Sequence, residues 1–186
     1  MEESQKNMEE RLYKIFANVN DWLKFAEAKN IGLLTLNLAL SIGLIQLFSA
    51  KDCDLNKWVF YLSFGANFIS FIIALFSVSP LIGKIERNQF FKTPITFISN
   101  IIDKEIINEN IHFYGYLKDF NVADFEEKFL QKISTTDYQF NDFEKELSSQ
   151  IIYNSIITSY KYQLFKLGCF ITLIGVILSV IVLMIF

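Results

Sequence analysis

The chain has 186 residues, 52% of them hydrophobic, with 20 phenylalanines, 2 prolines and a formal net charge of -3. One domain of this length does not bury so large an apolar fraction in water, and a lipid bilayer is the solvent that accepts the excess. The charge is small and mixed in sign, and no basic stripe interleaves with aromatics, which argues against nucleic acid as a partner.

Residues 1–30 place Leu12, Ile15, Phe16, Val19, Trp22, Leu23 and Ala26 at three- and four-residue spacings, which predicts an amphipathic helix. Acidic residues at its start suit the helix dipole. No glycine or proline separates it from the apolar run 31–50, so one helix is predicted from about Glu3 to about Ser49. Its second half has the ~20 residues that cross a ~30 Å hydrocarbon layer. A charged segment precedes the run where a secretory signal would have its apolar core, so the span is expected to be retained.

The link AKDCDLNK forces the next apolar run, 58–83, to return antiparallel to the first. Pro80 is expected to loosen the inner end of this second span and Gly83 to end it. Cys53 in the link and Cys169 in the last span are expected at different depths, and no disulfide is predicted.

Residues 84–164 form a polar insert. Pro94 opens a predicted helix, ITFISNIIDKEIINE, and HFYGYLKDF around Gly115 reads as a turn or a brief extended piece. Asn121 with Asp124 three residues on is a helix start. Thr135-Thr136-Asp137 is read as the start of the last helix, which meets no breaker until Gly168 and continues into a third span, 165–186, expected to end within the bilayer. The fold expected is an all-α membrane protein with three transmembrane helices, an N-terminal amphipathic helix (1–30) and a helical insert between spans two and three.

The link between the first two spans carries Lys51 and Lys57, whereas the other lysines and arginines fall before the first span, between the second and third or, for Lys166, at the very start of the third. By the positive-inside rule the N-terminus and residues 84–164 face the cytoplasm. Lys29, Lys84, Arg87, Lys161 and Lys166 then lie near the inner headgroup layer. A short hairpin offers no pocket to an external ligand, so any signal is expected from inside.

Catalysis is not expected. His112 is the one histidine, no cysteine pair has zinc spacing, and neither glycine-rich phosphate loop occurs. No metal or cofactor is implied. Lys29 shares a helical face with Trp22, Phe25, Ala26 and Leu33, and Lys161 interrupts the stripe Phe143, Leu147, Asn154, Ile157 and Leu164. Either both cations converge on an anion such as a phosphate, or each is a membrane-surface anchor or is paired with a carboxylate such as Glu86, the commoner outcome. Asn37, Gln46 and Asn67 are polar amides within the spans, expected to hydrogen-bond between helices rather than line a pore. His112 and Tyr114 can stack on a nucleobase or serve as core.

NVNDWLKFAEAKNIGLL, with Trp22, Phe25, Ala26, Glu27 and Lys29 just ahead of a span, resembles the membrane effectors of bacterial Pycsar anti-phage systems. HFYGYLKDFNVADFEEKF resembles that family's aromatic-glycine segment and acidic helix, and SYKYQLFKLG around Lys161 its closing lysine-bearing helix. The resemblance spans nearly the whole chain in order. It implies an inner-membrane protein acting beside a cyclase that makes cyclic CMP or cyclic UMP upon infection, with the nucleotide triggering membrane impairment and abortive infection. Under it, Lys29 and Lys161 are candidate phosphate contacts, His112 and Tyr114 candidate base contacts, and a homo-oligomer is expected. The alternative is a non-enzymatic membrane scaffold that recruits a cytoplasmic partner through its insert.

Overall fold

The computed structural model describes residues 2–50, 57–79, 109–134 and 138–185. Among these residues there are five helices and no strand: α1 (Glu2–Ala50), α2 (Lys57–Val78), a single turn α3 (Tyr114–Leu117), α4 (Val122–Lys132) and α5 (Asp142–Ile185). The hairpin link with Cys53, the Pro80 and Gly83 end of the second span, the helix predicted after Pro94, and Thr135 to Asp137 lie outside the described residues.

Three helices, α1, α2 and α5, are long and apolar enough to cross a membrane. As the absence of breakers predicts, α1 and α5 run uninterrupted from polar sequence into apolar sequence. The chain is an all-α membrane protein that divides into two compact units. Met1–Ala26 and Lys104–Tyr160 form a helical unit, and Glu27–Asp103 and Lys161–Phe186 form a membrane unit.

The helical unit has an ordinary apolar core. Leu12, Ile15 and Val19 of α1 join Leu117, Phe125, Phe129, Leu147 and Ile151 in one buried cluster, and burying each such side chain contributes about 1.5–3 kcal/mol. Phe16, Trp22 and Leu23, read as part of the same face, are half-buried, so the seam is narrower than the periodicity implied. Two caps fix the starts of its longer helices. Asn121 Oδ1 accepts from the Asp124 N–H at 2.8 Å, as expected from the spacing. At α5, Asn141 Oδ1 accepts from the Glu144 N–H while Glu144 Oε2 accepts from the Asn141 N–H, both at 2.8 Å. This reciprocal box begins the helix at Asp142, later than the Thr135 to Asp137 start read from sequence, although Thr136 and Gln139 have the same spacing. The expected turn around Gly115 is the helical turn α3.

In the membrane unit polar residues share the buried faces with apolar ones. The buried face of α2 is Ser63, Asn67, Ser70, Ile73, Ala74 and Ser77, while Leu62, Phe68, Ile69 and Phe76 point outward. Lipid is as apolar as leucine, so these helices gain by turning polar and small groups toward each other. The α2–α5 seam is antiparallel with a seven-residue step. Ser63 Oγ donates to the Gly175 carbonyl at 2.9 Å, Ser70 Oγ to the Gly168 carbonyl at 2.8 Å, and Lys161 Nζ to the Ser77 carbonyl at 2.8 Å. That repeat is the one that keeps two helices facing along a left-handed supercoil. Gly168 leaves room for α1 as well: a Cβ there would lie 2.6 Å from Leu33 Cδ2.

Candidate functional site

In the helical unit, α3 and the residues before it present an aromatic corner to α1. The Asn18 amide of α1 donates to the His112 carbonyl, and the His112 N–H donates to Asn110 Oδ1 at 2.9 Å. The Phe113 carbonyl accepts from the N–H groups of Tyr116 and Leu117 at 3.0 and 3.1 Å, which closes the turn. Trp22 of α1 meets Phe113 edge-on at 6.0 Å and Tyr114 at 5.7 Å, and Phe113 and Tyr114 lie 4.8 Å apart. A Cβ at Gly115 would meet the Phe113 ring and push it from its place. Phe113, Tyr114 and Trp22 are half-buried and His112 is exposed. The corner therefore combines rigidly held ring faces with a donor-acceptor imidazole, the components of a stacking platform for a planar heterocycle.

Lys29 and Lys161 belong to the membrane unit, so the four candidate residues divide between the two units. Lys161 is buried, and its ammonium lies 3.2 Å from Glu27 Oε1 and 2.8 Å from the Ser77 carbonyl, in the last turn of α2. The Lys161 carbonyl accepts from the Asn30 amide at 3.2 Å. A cation at a helix C-terminus is favoured by the helix dipole. Lys29 Nζ lies over the rings of Tyr162 and Phe165, 5.2 and 5.5 Å from their centroids, a cation–π arrangement. The carboxylate paired with Lys161 is Glu27, whereas Glu86, which the sequence offered for that role, lies outside the described residues. A positional signal for Glu27 exists: it stands four residues before the run that begins at Ile31, as Lys161 stands four before the span that begins at Phe165.

Two members of the predicted faces depart from them. Phe143 is exposed and packs on the ring of Tyr13 at 6.0 Å, and Phe25 is exposed as well. Leu147, Ile157 and Leu164 are buried as expected. Asn154, on the same stripe, donates to Asn20 of α1 at 2.8 Å.

Of the amides in the spans, Asn37 joins all three helices. It donates to Ser70 Oγ at 3.0 Å and accepts from Thr172 Oγ1 at 3.0 Å. Asn67 is buried and donates to the Ser63 carbonyl one turn back. Gln46 is exposed.

A polar cluster that sequence reasoning missed lies at the start of α5. Tyr138 Oη donates to the buried Glu144 carboxylate at 2.6 Å, and burial, followed by that carboxylate, pushes the phenol well above its usual range. Burial also raises Glu126, helped by Glu144 and opposed by Lys145. Its arrangement is that of a helix-start clamp. Among the described residues no group of three or more histidine, cysteine, aspartate or glutamate side chains is placed to hold a metal ion.

The family model for the Pycsar effector protein domain matches residues 11–186. No curated protein and no solved structure matches the chain.

Proposed function

Because the chain belongs to the Pycsar effector family and is thereby an anti-phage defence effector with three membrane-spanning helices, we propose that it senses a cyclic pyrimidine nucleotide and impairs the membrane in response. The signal is cyclic CMP or cyclic UMP supplied by a partner cyclase. The membrane is the cell inner membrane, with the N-terminus and residues 84–164 in the cytoplasm, as the distribution of lysines and arginines supports. The outcome is abortive infection, the working form is a homo-oligomer, and the chain performs no catalytic step of its own.

The observation that carries the sensing part is the aromatic corner. A pyrimidine offers one flat face and an edge of donors and acceptors, and Tyr114 with the exposed His112 matches both. Base–aromatic stacking contributes about 1–3 kcal/mol, so Tyr114→Ala should weaken nucleotide binding by roughly 5- to 150-fold in calorimetry on the detergent-solubilised full chain. His112→Ala should alter the ratio of the affinities for cyclic CMP and cyclic UMP. Unchanged affinity in both variants would remove the corner from the site.

The exposed Tyr13–Phe143 pair favours a second reading, a scaffold that docks a partner on the helical unit. The same calorimetry separates the two, since a scaffold binds neither nucleotide.

A further inference from the structure

We infer that Glu27 and Lys161 are the latch of the membrane unit, and that the buried ammonium drives the unit open when the carboxylate is taken from it. The side chain of Lys161 is 3% exposed and that of Glu27 is 45% exposed. Besides Glu27 the ammonium donates to the Ser77 carbonyl, and the Lys161 carbonyl accepts from Asn30. One residue thus ties α1, α2 and α5 together. Of these partners only Glu27 cancels the charge.

A buried ion pair is a weak source of stability, because the cost of desolvating both ions offsets their attraction. Its effect here lies in the inequality of its two ends. Without Lys161, Glu27 is a carboxylate that is already nearly half exposed. Without Glu27, Lys161 is a buried ammonium with no other counter-ion among the described residues, the situation that membrane proteins avoid most strongly. The closed packing therefore depends on Glu27 for neutrality, and the tendency to open resides in Lys161. The Ser77 hydroxyl adds to it: it is buried with no hydrogen-bond partner among the described residues, so it gains when water enters at the end of α2. Anything that draws Glu27 outward, whether a cation, a competing donor or a shift of α1, releases the cation.

This inference rests on the proposed membrane-impairing activity, and its test needs no nucleotide. Full-length protein is reconstituted in dye-loaded vesicles, and leakage is read for the wild type, Glu27→Gln, Lys161→Met and the double variant. The fraction of protein recovered in vesicles is measured for each. Glu27→Gln should leak about tenfold faster than the wild type or more. Lys161→Met should be as tight as the wild type, and the double variant should return to that tightness. If Glu27→Gln is lost from the vesicles, recovery of the double variant supports the same stranded cation, and its equal loss overturns the latch. Leakage of Lys161→Met matching that of Glu27→Gln, or no leakage from a recovered Glu27→Gln, also overturns it. A wild type deaf to both cyclic nucleotides, beside a Glu27→Gln leak that Lys161→Met suppresses, would strike the proposed ligand and uphold the latch.

Discussion

Along α1 the chemistry of burial changes. In the helical unit the helix buries Leu12, Ile15 and Val19 and exposes Glu10, Arg11 and Lys14; in the membrane unit it buries Asn30 and Asn37 beside Leu33 and Leu44 and exposes Leu36, Leu38 and Ile42. Helix α5 is mixed in both units, burying Leu147 and Ile151 beside Glu144 and Ser148 in one and Lys161 and Thr172 beside Leu164 and Leu167 in the other. The change in the exposed faces fits two solvents acting on one helix. Water drives apolar groups together, whereas lipid leaves packing and internal hydrogen bonds to decide which faces meet. Stability in the helical unit should follow apolar area, and stability in the membrane unit should follow close fit and polar partners.

The largest effect that tests this difference is expected at Phe129, which is almost wholly buried in the helical unit. Phe129→Ala should cost about 3–5 kcal/mol, read as loss of amide-exchange protection in α4 and the first half of α5. Leu62→Ala, on the outward face of α2, should change the stability of the membrane unit by less than about 0.5 kcal/mol. A cost at Leu62 like that at Phe129 would erase the distinction.

Next in size is Gly168→Ala, where a methyl group meets Leu33 and forces a shift costing about 1–3 kcal/mol. Asn37→Leu follows, losing cross-helix bonds to Ser70 and Thr172 at about 0.6–2 kcal/mol. Unfolding in mixed detergent micelles measures both. A gain in stability from Asn37→Leu would mean that apolar burial governs the membrane unit after all.

The helical unit should also respond to pH through Glu126. Its folded-state pKa lies above the ordinary 4.5, so the protonated form is favoured in the folded unit. Stability from this group is fully present below 4.5 and is lost as pH rises through the raised folded value. Glu126→Gln should therefore be more stable than the wild type at neutral pH and should flatten the pH dependence over that window. Thermal melts at several pH values check it. The smallest effect belongs to Ser134, whose φ of 56° after α4 lies in the left-handed region. Glycine there removes the Cβ penalty at some cost in unfolded-state entropy, for a net gain of about 0.5 kcal/mol.

Much of this architecture was legible in the residues. The lack of a glycine or proline between the amphipathic stretch and the apolar run at 31 announced α1, the apolar runs announced the spans, and Asn121 announced α4. The start of α5 was misplaced because Thr135 and Asp137 are as good capping residues as Asn141, and Thr136 with Gln139 has the same spacing as Asn141 with Glu144. Phe143 and Phe25 were read as buried because periodicity marks a face without saying whether a partner covers it. The serines at 63, 70 and 77 opposite residues 175, 168 and 161 form a seven-residue pattern visible in the sequence, yet serine in an apolar helix draws no notice when burial is equated with hydrophobicity. Glu27 was hidden for a related reason: a charge just outside a span reads as solvated until a buried cation is found beside it.

The proposal that a cyclic pyrimidine nucleotide converts this three-span effector into a membrane-impairing form is tested most directly by leakage from dye-loaded vesicles containing the full chain, before and after addition of cyclic CMP or cyclic UMP. Release that rises with at least one of them, and not with their linear monophosphates, is the expected result. Vesicles that stay sealed with both nucleotides, from protein that is inserted and folded, would contradict it.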